Sequence, residues 1–243
     1  VDNSSALPYH KRALNNTLFV HYEVENKSTM AYNDFRMGVT EDMDLGCFEN
    51  DHIGCDTVRN LMTTYNGRQV DIDCQGIDGY GDTSAAHGLI FLNQELAAFG
   101  YYNNDNSARS SDPSNGIQHY NYMHGTWKDG TPFRYGGIGT DTSTTIVTHM
   151  FPGNPNVSTE WSCINPQLGS AISAGDRRSY GSSPSLNFNA GETKTFDMAY
   201  FVSYDTATDG SVTFVTIVDT LLRDADIIQA FYNNEIAACR ASQ

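Results

Sequence analysis

The stretch Glu192-Thr-Lys-Thr-Phe-Asp-Met-Ala-Tyr-Phe-Val202 decides the fold class. It alternates polar and apolar residues, then becomes apolar, and β-branched and aromatic side chains dominate it. Alternation at a period of two sends successive side chains to opposite faces of a strand. Thr17-Leu-Phe-Val-His-Tyr-Glu-Val24 carries the same pattern near the other end of the chain. Asn33 to Val39 and Leu61 to Asn66 read as further strands, the latter ending in the turn signal Tyr65-Asn66-Gly67. His87 to Leu92 is another apolar run. Thr220 to Ala238 is helical instead, because Leu221, Leu222, Ala225, Ile228, Phe231 and Tyr232 share one face at helical spacing, with Asp219 placed as N-cap. The expectation is an all-β, jelly-roll-like sandwich forming a single domain over 1–243, closed by one C-terminal helix at about 219–238.

The connecting segments are read more coarsely. Gly46 to Asp56 is expected as an acidic loop, and Tyr101 to Gly116 and Gly175 to Ser183 as further loops. Leu92 to Phe99 has room for one or two helical turns, and Val212 to Val218 for the start of a strand.

The chain has 243 residues, enough to bury a sizeable core. Lys and Arg number 14 against 29 Asp and Glu, a net charge of −15. Such a surface does not neutralise phosphates, which argues against nucleic acid and anionic membrane partners. No apolar run approaches the roughly 20 residues that span a bilayer, so membrane insertion is not expected. Lysine is scarce, and Asn, Gly, Ser and Thr dominate the polar positions, as in exported, loop-rich proteins. Asn3, Asn15, Asn26 and Asn156 stand in glycosylation sequons. Cys47, Cys55, Cys74, Cys163 and Cys239 are an odd set, so at least one has no partner within the chain. Cys47 and Cys55 flank the acidic loop and either bridge it or stay free and buried.

That loop, Glu41-Asp-Met-Asp-Leu-Gly-Cys-Phe-Glu-Asn-Asp-His-Ile-Gly-Cys-Asp56, carries the most chemistry. Ca2+ takes six to eight oxygens from carboxylates, carbonyls and water. Asp42, Asp44, Asp51 and Asp56 supply carboxylates on a glycine-punctuated backbone, and Asp71 and Asp73 add more from a neighbouring loop. This is not an EF-hand, because its twelfth position from Asp42 is Ile53 rather than Glu. Asp and Asn also favour plain solvated turns, so the same residues suit a loop without metal.

Catalytic signals are weaker. Glu160 is the best isolated acid, but no second carboxylate stands out at the separation glycoside hydrolysis needs. Trp127 and Trp161 suit either stacking on a sugar or the core. Arg177 and Arg178 suit either an anionic glycan or the chain's own carboxylates. His119 and His124, if on a strand, point to opposite faces.

Several blocks resemble a module of large secreted or surface proteins of Bacteroidetes. They are Asp42-x-Asp44-Leu-Gly46 with Asn50-Asp51-x-x-Gly54-Cys55-Asp56-Thr57; Gly125-Thr-Trp127-Lys-Asp129-Gly130-x-Pro132 with Tyr135-Gly136-Gly137; Met150-Phe151-Pro152-Gly153-x-Pro155 with Trp161; and Asp176-Arg177-Arg178 before Leu186-x-Phe188 and the closing helix. The resemblance implies export through the type IX secretion system and a secreted or cell-surface location, with no established activity. Asn50 stands where that module usually has Asp, and the Trp that usually precedes Asp42 is missing. Together these features lead to an extracellular calcium-stabilised adhesive or structural module, binding a glycan or protein or assembling with copies of itself. The alternative is a polysaccharide-active enzyme, either a glycoside hydrolase or a lyase.

Overall fold

A computed structural model describes residues 9–105, 109–140, 143–205 and 213–241. Helix α1 (Tyr9–Asn15) precedes strands β1 (Thr17–Glu25), β2 (Tyr32–Phe35), β3 (Gly38–Asp42), β4 (Asp51–Asp56), β5 (Leu61–Asn66), β6 (Ser84–Phe91) and β7 (Ala98–Asn103). Helix α2 (Gly116–Met123) follows, then β8 (Phe133–Arg134), β9 (Ile146–Val147), β10 (Arg177–Ser182), β11 (Leu186–Phe188) and β12 (Thr193–Asp205). Helices α3 (Ile217–Phe231) and α4 (Ala238–Ala241) end the described chain.

The two alternating stretches pair with each other. β12 lies between β1 and β6 in a five-stranded antiparallel sheet of order β1-β12-β6-β5-β4. A second sheet has the order β3-β10-β7, and β2 with β11 and β8 with β9 form two-stranded ribbons.

Parity along β12 assigns the layers. Phe196 and Met198 point into a core shared with Met62, Leu89, Phe91, Phe99 and Tyr180, so this face meets the second sheet. Ala199 and Phe201 point the other way, onto Leu221, Ala225 and Ile228 of α3. The protein is an all-β sandwich with its C-terminal helix laid over the outer face of the larger sheet. Strands β4, β5 and β6 are therefore buried along nearly their whole length, which leaves them without clean alternation, and β4 occupies the Asp51–Asp56 end of the stretch expected as an acidic loop.

The helix begins earlier than expected, at Ile217, and Asp219 lies in its first turn rather than at the cap. Negative charge is favourable there, facing the positive end of the helix dipole. The Asp219 carboxylate also accepts the side-chain amides of Asn154 (2.7 Å) and Asn156 (3.0 Å). After Phe231 the helix widens into one π turn, Tyr232–Ala237. Below that turn, Asp197 of β12 is a buried hub. It accepts the Tyr232 hydroxyl at 2.6 Å and Arg240 at 2.7 and 2.8 Å, and bonds His21 Nδ1 at 2.6 Å.

Other expectations shift. Leu92 to Phe99 forms no helix and leads into β7, while Gly175 to Ser183 contains β10. His119 sits on α2, a helix whose N-terminus is capped by the Asn115 side chain accepting from the Gln118 amide at 3.1 Å. Val212 and the Asn3 sequon lie outside the described residues; Ile217 and Val218 open α3. The Asn26 amide is buried and donates to the carbonyls of Met30, Phe188 and Asn189, which removes it as a glycan acceptor.

Leu221 is fully buried between helix and sheet. Leu221→Ala is expected to cost about 2–5 kcal/mol in urea unfolding. A cost below about 0.5 kcal/mol, the size of an ordinary surface substitution, would contradict this helix placement.

Candidate functional site

The segment after β3 is closed by a disulfide between Cys47 and Cys74, whose Cα atoms are 5.5 Å apart. Cys55 does not take the bridging role, because β4 turns its side chain into the sandwich core, where Sγ donates to the Met150 carbonyl. Cys163 is also free and buried, donating to the Ile53 carbonyl. Burial pushes the Cys163 thiol up to about 12 and Cys55 well above its ordinary value, so neither is a ready nucleophile.

The five expected metal ligands separate into different roles. Asp71 is buried and its carboxylate is filled by N–H donors: Asn50 Nδ2 at 2.8 Å, the Tyr80 amide at 2.8 Å and the Cys47 amide at 3.3 Å. It anchors the disulfide-closed hairpin. Gly46 must be glycine here, since its φ is +71° and a Cβ would lie 1.8 Å from Asp71 Oδ2. Asp56, at the far end of β4, accepts the amides of Val58 and Arg59 and pairs with the Arg59 guanidinium at 2.7 Å. Neither Asp56 nor Asp71 joins a shared site with Asp42.

Asp42 and Asp44 do converge, and their third partner is Asp176. β3 and β10 pair antiparallel with Asp42 opposite Arg178. Continuing that register brings Asp44 level with Asp176. One carboxylate oxygen from each of Asp42, Asp44 and Asp176 lies within 4.8 Å of the others. Two oxygens bound to one Ca2+ at about 2.4 Å each stand no farther apart than this.

Asp51 adjoins the cluster. Its backbone carbonyl accepts the Gly175 amide at 3.0 Å, and its Oδ2 accepts the Leu45 amide at 3.1 Å. Asp51 Oδ1 and Asp176 Oδ1 are buried with no hydrogen-bond partner in the protein. Burial first, opposed by the Leu45 N–H and reinforced by the charges of Asp71, Asp44 and Asp176, pushes the Asp51 carboxyl up to about 8. Asp44 is raised by burial and by Asp42 and Asp176. The arrangement concentrates negative charge that Arg178 offsets in part, through its 2.7 Å bond to Asp42. A divalent cation with oxygen preference fits these donors.

The expected ligand-binding side chains are placed otherwise. Trp127 and Trp161 are buried core residues, packed edge-on against Phe133 and Phe151 respectively, so neither presents a face to a sugar. Arg178 bonds Asp42 and Asp112, while Arg177 bonds Asn103 Oδ1 and the Ser173 carbonyl. Searches against known protein families and against curated proteins find no match.

Sequence reasoning missed Asp176 as a ligand, because only the β3–β10 pairing brings it to Asp42. It also missed Glu41, which points into the core from β3 with both oxygens lacking a hydrogen-bond partner and His87 Nδ1 3.7 Å away. Burial raises Glu41 to about 8 and lowers His87 to about 4. Between pH 7 and 8 His52 and His87, both lowered to about 4 by burial, are neutral in the fold and mostly neutral in the unfolded chain. Glu41 and Asp51 there hold protons that the unfolded chain has lost. In calcium-free buffer, stability is therefore expected to fall as pH rises through this window, at up to about 1.4 kcal/mol per pH unit for each such group. Glu41→Gln is expected to flatten part of the slope in urea melts at several pH values. An unchanged or rising slope would contradict a protonated Glu41.

Proposed function

We propose that this chain is an exported, calcium-stabilised module with an adhesive or structural role at a cell surface or in the extracellular space. The observation that carries the reading is the convergence of Asp42, Asp44 and Asp176, with Asp51 and its unpartnered oxygen beside them. The ion would be structural: it would offset carboxylate repulsion and fasten the start of β4 to the start of β10. The Cys47–Cys74 disulfide supports an oxidising compartment. Type IX export is the route implied by the sequence blocks quoted above. Net charge disfavours a polyanionic partner, and among the described residues no helix is long and apolar enough to cross a membrane.

Binding to the native state alone raises apparent stability. Calcium added to chelator-stripped protein is expected to raise the melting temperature by several degrees, with magnesium doing less. The double variant Asp44→Asn, Asp176→Asn is expected to lose that response while remaining folded. No calcium response in the parent protein, or an undiminished one in the variant, would overturn the reading.

A further inference from the structure

A cleft of about 310 Å³ opens on the helix-covered side of β4 and β5, facing away from the acidic cluster. That volume is at the lower end for small-molecule sites. Gly54 and Thr63, directly opposite each other in the β4–β5 ladder, form its floor. A Cβ on Gly54 would stand 3.2 Å from both the Phe151 carbonyl and Thr63 Oγ1, so the missing side chain keeps the floor open. Val218 and Leu222 of α3 make one wall and the 151–162 segment makes the other.

The second wall is held in place before any ligand arrives. The Cys55 amide donates to the Phe151 carbonyl at 3.2 Å, clipping the segment to the edge of β4. Asn154 donates its amide to Glu160 Oε2 at 2.7 Å, and Asn154 and Asn156 reach Asp219 on α3. Among the polar groups on the lining is Tyr65, a side chain only 1% exposed whose hydroxyl has no hydrogen-bond partner in the protein. A buried hydroxyl left unmatched costs free energy that a ligand oxygen recovers. Thr63 and Glu160 add a hydroxyl and an exposed carboxylate, and Val157, Val218 and Leu222 add aliphatic surface.

Charge narrows the ligand. The cation on the lining, Arg59, is committed to Asp56 at 2.7 Å and to Asp226 at 2.8 and 3.0 Å. Glu160 and Asp219 leave the mouth negative, which disfavours anions. Hydroxyl-matching donors and acceptors beside an aliphatic wall suit the two faces of a neutral sugar ring. We propose that this cleft binds a neutral saccharide, with Glu160 and Tyr65 bonding its hydroxyls and Val157, Val218 and Leu222 covering its C–H face. The proposal supplies a ligand class for the adhesive role above and, in naming it, rests on that reading; the cleft itself needs no metal.

The test is amide chemical-shift titration of the full chain with glucose, galactose, mannose, N-acetylglucosamine, maltose, cellobiose and lactose, and with spermidine as a cationic comparison, each with and without calcium. At least one sugar is expected to shift the amides of Gly54, Thr63 and Val157. Tyr65→Phe and Glu160→Gln are each expected to weaken that sugar roughly tenfold. Val157→Trp, at an exposed position on the lining, is expected to block it without disturbing the core. The Asp44→Asn, Asp176→Asn variant is expected to bind the sugar normally in the absence of calcium, which separates failure of the metal reading from failure of this one. The proposal is overturned if no sugar shifts the cleft amides. It is overturned equally if binding survives Val157→Trp, or if spermidine rather than any sugar is the molecule that binds.

Discussion

Burial of β12 on both faces is the constraint from which the rest of the molecule follows. A strand with one apolar face needs one covering layer. β12 has two, with Phe196 and Met198 on one side and Ala199 and Phe201 on the other, and so requires a sheet below and a helix above. The helix cannot dock without removing water from polar groups on its side of the sheet, and these find partners. Asp197 gathers His21, Tyr232 and Arg240, and Ser203 donates to Asp224. Buried polar groups paired in this way fix where along the sheet the helix lies, which apolar contact alone does less sharply.

The opposite treatment of carboxylates elsewhere is informative. Asp71 is satisfied by neutral N–H donors and Asp56 by Arg59. Asp51 keeps one buried oxygen unmatched, and Asp176 does the same next to it. The fold thus meets the needs of two acids fully, while Asp51 and Asp176 each keep a buried oxygen without a partner, Asp176 beside Asp42 and Asp44.

How much of this was legible follows from the range of the interactions. The alternation at 17–24 and 192–202 and the helical face from Leu221 to Tyr232 are local patterns, and they located the largest sheet and its covering helix. Asp42 and Asp44 were visible as a pair because a single residue separates them. Asp176 was not, since its approach depends on the β3–β10 register and β10 itself reads as a loop: Arg177-Arg-Ser-Tyr-Gly-Ser182 is polar, although the fold buries most of it. The disulfide pairing was left open for a related reason. Cys55 is nearer to Cys47 in sequence, but strand parity aims its thiol into the core, whereas the hairpin anchored by Asp71 returns Cys74 to Cys47. The tryptophans suited either a sugar or the core, and the loops carrying them fold inward to complete the aromatic core around Phe133 and Phe151.

Both candidate sites arise from one topological problem. β4 is the last strand of the large sheet, and an open edge exposes unpaired backbone groups that invite pairing with another chain. Here that edge is covered by two irregular segments rather than by a strand. The Cys55 amide is taken by the Phe151 carbonyl, and the Asp51 carbonyl by the Gly175 amide. The first segment continues into the wall of the cleft, and the second delivers Asp176 to the acidic cluster. A regular neighbouring strand would have satisfied the same backbone groups and left neither concavity. Loops tolerate sequence change better than paired strands and are where binding residues concentrate on a rigid scaffold. Covering the edge with loops thus protects the sheet and places beside β4 segments that are free to carry chemistry.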